Sequence, residues 1–290
     1  MVVFSYKIDR LPRPMRFSAE LVQLFFKAQT TRSAAQMSYY LLFSMFPLLM
    51  IFVSGLGFFH LNVDWVLSII HRLLPQVSGV VESYVTYILS VESPGRVAIG
   101  ALMAITASSA AFRGLVLYMG GVTGKATFRG PKLVLVSILM SLVLLGTIFA
   151  FLLSAVTGRW FLTLLVEKFH IDVVALAWDW MRYLLALAVG VLAISMLYRV
   201  SMTRRAMPGS KVWPGAVLAS IGMVFGTALF SLFLNSGHKY SLIYGSLAGL
   251  ILLLLWFFVC SNILLAGNLF NYLLAKHRQE KMEAPKEEQA

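Results

Sequence analysis

Cysteine is almost missing from this chain. The single one, Cys260, lies inside an apolar run, so no intramolecular disulfide can form. No Cys/His spacing resembles a zinc site. Charge is scarce as well, at 12% of residues against about 25% in a soluble domain. Acidic groups are the rarer sign, 12 against 24 Lys and Arg, and they nearly vanish from the apolar runs, which removes the usual proton couplers. There is no HExxH, no GxSxG, no Walker loop and no pair of intramembrane aspartates. Four histidines, His60, His71, His170 and His238, fall on one expected side of the membrane. They are far apart in sequence and have no carboxylate at ligand spacing. The expectation is therefore no catalytic residue, no metal and no cofactor.

Apolar length is abundant. Hydrophobic residues make up 59% of the 290, and the mean hydropathy is +0.82. The apolar segments run almost from Ala34 to Ala275 with no polar domain between them. A hydrocarbon core of about 30 Å needs about 20 helical residues. Runs that meet or approach this length fall at 34–59, 97–119, 133–156, 178–199, 214–236 and 246–275. The expected architecture is thus all-α, with six transmembrane helices in one membrane domain over 34–275. The fourth run is weakest at its outer end, where Asp179 and Arg182 intrude at a spacing that lets them pair. The first run begins too late for a cleavable signal peptide, so the N-terminal segment 1–33 is expected to be retained.

The basic residues fall in the gaps between the runs. Lys7, Arg10, Arg13, Arg16, Lys27 and Arg32 precede the first, and Lys125, Arg129 and Lys132 follow the second. Arg204, Arg205 and Lys211 follow the fourth, and Lys276, Arg278, Lys281 and Lys286 follow the last. By the positive-inside rule these segments, including both termini, are cytoplasmic. The net charge of +12 is then a topology signal and requires no nucleic acid. Shorter amphipathic patterns run through Val63–Leu74 and Val77–Ile88 on the outer side. Phe17, Leu21, Leu24, Phe25 and Ala28 form a similar stripe on the inner side, each pattern suited to an interfacial helix. The tail 276–290, charged and containing Pro285, is expected to be disordered.

Within the spans, several residues carry more than hydrophobicity. Gly100, Ala104, Ala107, Ser108 and Ala111 share one face, as do Gly215, Ala219, Gly222 and Gly226, and small faces let helix backbones approach closely. Arg113 is the basic residue deepest in an apolar run. It either snorkels to the cytoplasmic interface or meets a phosphate or carboxylate on a ligand. Ser261, Asn268 and Asn271 share a face of the last span with Asn262 nearby, and either bond between helices or line a polar cavity. Pro47 with Ser44 predicts a kink in the first span. Tyr39 and Tyr40, near its cytoplasmic end, are interface anchors or ligand groups.

The run from Ser33, SAAQMSYYLLFSMFPLLMIFVSGLGFF, resembles the opening of the YihY/BrkB family of bacterial membrane proteins. Trp213-Pro214-Gly215-Ala216 resembles the start of that family's fifth span. Tyr244-Gly245-Ser246-Leu247, with Trp256 and Leu264 to Asn271, resembles its closing segment. The likeness implies six helices, both ends inside, and the bacterial inner membrane. It implies no agreed activity, since members have carried ribonuclease and virulence labels alike. One departure stands out: a Glu is usual where this chain has Asn268 after Gly267. The ribonuclease label fits poorly, because RNA hydrolysis needs metal-binding carboxylates or a His acid/base pair that the cytoplasmic segments do not supply. The leading expectation is transport of a lipid or other anionic amphipath, with membrane lipids as partners. The rival is a scaffold or accessory subunit whose grooves bind another membrane protein.

Overall fold

The computed structural model describes residues 13–58, 79, 82–83, 85–86, 94–125, 128–143, 172–202, 211–236 and 247–287. Among them the long regular elements are all helical: α1 Arg13–Lys27, α2 Thr30–Phe58, α3 Pro94–Thr123, α4 Pro131–Val143, α5 Asp172–Ser201, α6 Trp213–Ser236 and α7 Ala248–Glu287. Three contain stretches long and apolar enough to cross a membrane, at Ala98–Thr123, Trp213–Leu234 and Ala248–Glu280. The apolar helices Pro131–Val143 and Leu187–Ser201 are shorter. The first outer amphipathic pattern, Asp179 with Arg182, and Tyr244 with Gly245 lie outside the residues or side chains described; of the second, residues 79, 82–83 and 85–86 are helical, with Val85 buried.

These sequences form long helices for a solvent-driven reason. In hydrocarbon every backbone N–H and C=O must be satisfied within the segment, and a helix does so. Their outer flanks are apolar: Leu218, Ile221, Phe225 and Leu229 on α6, and Leu250 and Leu254 on α7, are exposed. A lipid-facing surface has this character, whereas a water-facing surface of this size would aggregate. The inner flanks meet in a core built by Met37 of α2, Leu115 and Met119 of α3, Met140 of α4, Leu197 of α5, and Leu265 and Leu269 of α7.

Helix α2 pairs with α3. Met37 packs toward Gly114, and the hydroxyls of Thr30 and Tyr118 are 2.6 Å apart. The helix continues through Pro47, whose side chain lies outside the described set. Gln29 turns the chain between α1 and α2 in the left-handed region, at φ 52°. Helices α6 and α7 run antiparallel: Gly215 meets Gly267 and Asn271, while Gly226 meets Ile263 and Val259.

The expectation of a disordered tail needs correction. Helix α7 continues to Glu287, well past the apolar run. Lys276 and Glu280 pair one turn apart at 3.7 Å, and His277 Nε2 lies 2.6 Å from Glu20 Oε2 of α1. Pairs one turn apart and a docked neighbour extend a helix into water where composition alone suggests disorder.

Candidate functional site

The site is best built from the start of α6. The first N–H groups of a helix have no partner within it, and a polar side chain just before the helix normally supplies one. Here the preceding residue is Val212, which has none, and Pro214 has no N–H to satisfy. Asn271 of α7 substitutes from a neighbouring helix: its Oδ1 accepts the Gly215 N–H at 2.7 Å, and its Nδ2 donates to the Val212 carbonyl at 2.9 Å. The two bonds fix the amide's orientation, because one backbone partner can only donate and the other can only accept.

This cap requires α6 and α7 to touch backbone to backbone. A Cβ on Gly215 would collide with the Gly267 carbonyl and with the Asn271 amide. One on Gly267 would fall 2.6 Å from the Tyr198 hydroxyl and 2.7 Å from the Gly215 carbonyl. Helix α5 closes the joint from the third side. The fully buried Tyr198 donates its hydroxyl to the Leu264 carbonyl at 2.6 Å. Asn268 Nδ2 donates to Ser201 Oγ at 2.8 Å. Further along, Gly222 and Gly226 receive Ile263. The structure thus brings Gly215, Asn268 and Asn271 into one joint of α5, α6 and α7, with Trp213 exposed at its edge and Pro214 partly buried.

The remaining candidates lie apart from it. Asn262 Nδ2 donates to the Phe258 carbonyl of its own helix at 2.8 Å. Ser261 is buried with no partner for its Oγ, as are Asn268 Oδ1 and Ser220 Oγ, among the described residues. Tyr39 projects outward beside Phe43, ring centroids 4.6 Å apart, and Tyr40 lies against it at 5.5 Å. Arg113 is partly buried on α3 and donates to Ser109 Oγ, one turn back on the same helix, at 2.8 Å.

The sequence reading missed Tyr198, Ser201 and Gly267 as joint residues. It also missed the contact of Glu20 with His277. A tyrosine near a helix end reads as an anchor, and nothing local marks a partner 66 residues away.

Apolar spans with exposed flanks, locked together by buried amides and glycines, define a polytopic helical membrane protein. The chain belongs to the Virulence factor BrkB family, whose description matches residues 21–290. It is 27% identical over 274 residues to the putative ribonuclease-like protein YfkH of Bacillus subtilis, covering 93% of this chain and 99% of that one. It is 25% identical over 280 residues to UPF0761 membrane proteins of Xanthomonas campestris and Xanthomonas oryzae, covering 94% of this chain and 64% of theirs. The chain thus spans just under two thirds of those Xanthomonas proteins. No solved structure matches it.

Proposed function

We propose that the protein moves an anionic amphipath, a lipid or lipid-linked molecule, across the bacterial inner membrane. In this reading six helices over 34–275 cross the bilayer, with segment 1–33 and the tail 276–290 both in the cytoplasm. The carrying observation is Arg113. It is a guanidinium within the apolar stretch Ala98–Thr123, and among the described residues its bond goes to a neutral hydroxyl of its own helix. A cation at membrane depth is costly and calls for a counter-charge, which a phosphate or carboxylate head group can supply bidentately. Movement is passive or driven by a partner, since the spans hold almost no acidic residues to couple protons.

Two observations weigh against the rivals. The glycine face of α6, which a scaffold would offer to another protein, is filled by Ile263 and Val259 of α7. The ribonuclease in one relative's name would need clustered metal-binding carboxylates or a His acid/base pair; Glu20 and His277 are engaged with each other, and no group of three or more His, Cys, Asp or Glu stands together among the described residues, so we propose no enzymatic activity.

The test is transbilayer movement of a fluorescent phosphatidylglycerol in proteoliposomes, read by chemical quenching of the outer leaflet. The wild-type protein is expected to accelerate it and Arg113→Gln to lose most of that acceleration. Equal rates in proteoliposomes and protein-free vesicles would overturn the proposal.

A further inference from the structure

Helix α1 has two apolar faces, and among the described residues only one is covered. Leu21, Leu24, Phe25 and Ala28 pack on the core, and Phe17 meets the rings of Phe270 and His277 edge-on at 5.2 and 5.7 Å. Roughly opposite on the helix, Val22 and Phe26 stand one turn apart and are 55% and 72% exposed. On one flank a polar strip with the exposed Arg16, Gln23 and Lys27 separates the two faces; on the other the rings of Phe25 and Phe26 meet edge-on at 5.7 Å. A helix in water needs one apolar face; a second, turned away from the core, needs a second apolar neighbour.

The attachments of α1 set its depth. At its start, Phe17 bridges Phe270, inside the apolar run of α7, and His277, just beyond it. At its end the Phe25 carbonyl accepts from Thr30, the first residue of α2, which also bonds the Tyr118 hydroxyl near the end of α3 and before the basic Lys125, Arg129 and Lys132. Both ends are therefore fixed where apolar span gives way to basic loop. We infer that α1 lies in the plane of the membrane boundary, bundle on one side, with Val22 and Phe26 seated in the acyl region of an anionic leaflet.

Charge supports that occupant. Lys27 is exposed at the end of α1, and Arg32 and Arg129 are exposed in neighbouring segments, as anionic head groups require. The seat makes α1 a strap that couples the leaflet to α7 through Phe17 and the Glu20–His277 contact. It does not rest on Arg113, so either proposal can fail alone.

Because Cys260 is the only native cysteine, nitroxide labels can be placed singly in a Cys260→Ser background. Val22→Cys, Phe26→Cys and Lys27→Cys are compared in proteoliposomes of phosphatidylglycerol and phosphatidylcholine. Labels at 22 and 26 are expected to collide with oxygen severalfold more, relative to an aqueous nickel complex, than the label at 27. Equal nickel access at 26 and 27 would overturn the inference by placing the face in water. Access to neither reagent, with dipolar broadening between labels, would overturn it by placing a second copy there.

Discussion

Two helix junctions in this protein solve the same problem differently. Between α2 and α3 the contact is mostly apolar, and the serines nearby satisfy themselves: Ser38 donates to the Ala35 carbonyl and Ser44 to that of Leu41, on their own helix. Among α5, α6 and α7 the side chains instead bond across helices, through Asn271, Asn268 and Tyr198, over backbones held together by Gly215 and Gly267. Lipid gives helices no hydrophobic reason to prefer each other, so packing and hydrogen bonds decide which surfaces meet. The first junction has the Thr30–Tyr118 bond at one end and rests otherwise on apolar packing. The second has one register, because its donors and acceptors match in only one.

The sharpest way to break this contrast is a single methyl group. Gly215→Ala places a carbon on the Gly267 carbonyl and should cost about 3 kcal/mol or prevent folding, near the upper end for overpacking. Gly114→Ala, whose added carbon would sit 3.5 Å from Met37 Cγ, should change stability by no more than about 0.5 kcal/mol. Thermal unfolding of the two variants in detergent compares them directly. If both fall equally, the two junctions do not differ in kind.

Removing the cap comes next. Asn271→Leu keeps the volume but leaves the Gly215 N–H and the Val212 carbonyl without their side-chain partner, and should destabilise by about 1–2 kcal/mol. Ser44→Ala should be nearly silent by the same measurement. Tyr198→Phe deletes one interhelical bond and should cost about 0.6–1.7 kcal/mol.

The smallest expected effect is a pH dependence at the strap. Burial pushes the Glu20 carboxyl up, but hydrogen bonds and charge from His277 and Arg16 outweigh it and hold the group below its ordinary value. A depressed carboxyl stabilises the docked helix fully above the unfolded value of about 4.3, and that contribution is lost as pH falls through the folded value. Hydrogen exchange of α1 should therefore quicken on acidification below about pH 4, and Glu20→Gln should abolish the change.

Much of the helical framework was legible in the sequence, because apolar length and the position of Lys and Arg are local signals. Helices α3, α6 and α7 fall on three of the six apolar runs and hold the stretches long and apolar enough to cross a membrane, and the stripe from Phe17 to Ala28 is a helix packed on the bundle. The joint was legible only as parts. Asn268, Asn271 and Gly215 stood out as polar or small residues in apolar runs, but the cap joins residues 56 positions apart and depends on how two helices cross. The α7 extension was hidden for another reason: its charges resemble a solvated tail until α1 is placed beside His277.

The polar groups of α5, α6 and α7 lock helices, whereas Arg113 is the span cation proposed to meet an anionic head group. Native mass spectrometry of gently extracted protein tests that separation most directly, comparing the wild type with Arg113→Gln and Asn262→Ala. The wild type and Asn262→Ala are predicted to retain an anionic lipid that Arg113→Gln loses while staying folded. A folded Arg113→Gln protein that keeps the same lipid, or a wild type that carries none, would contradict it.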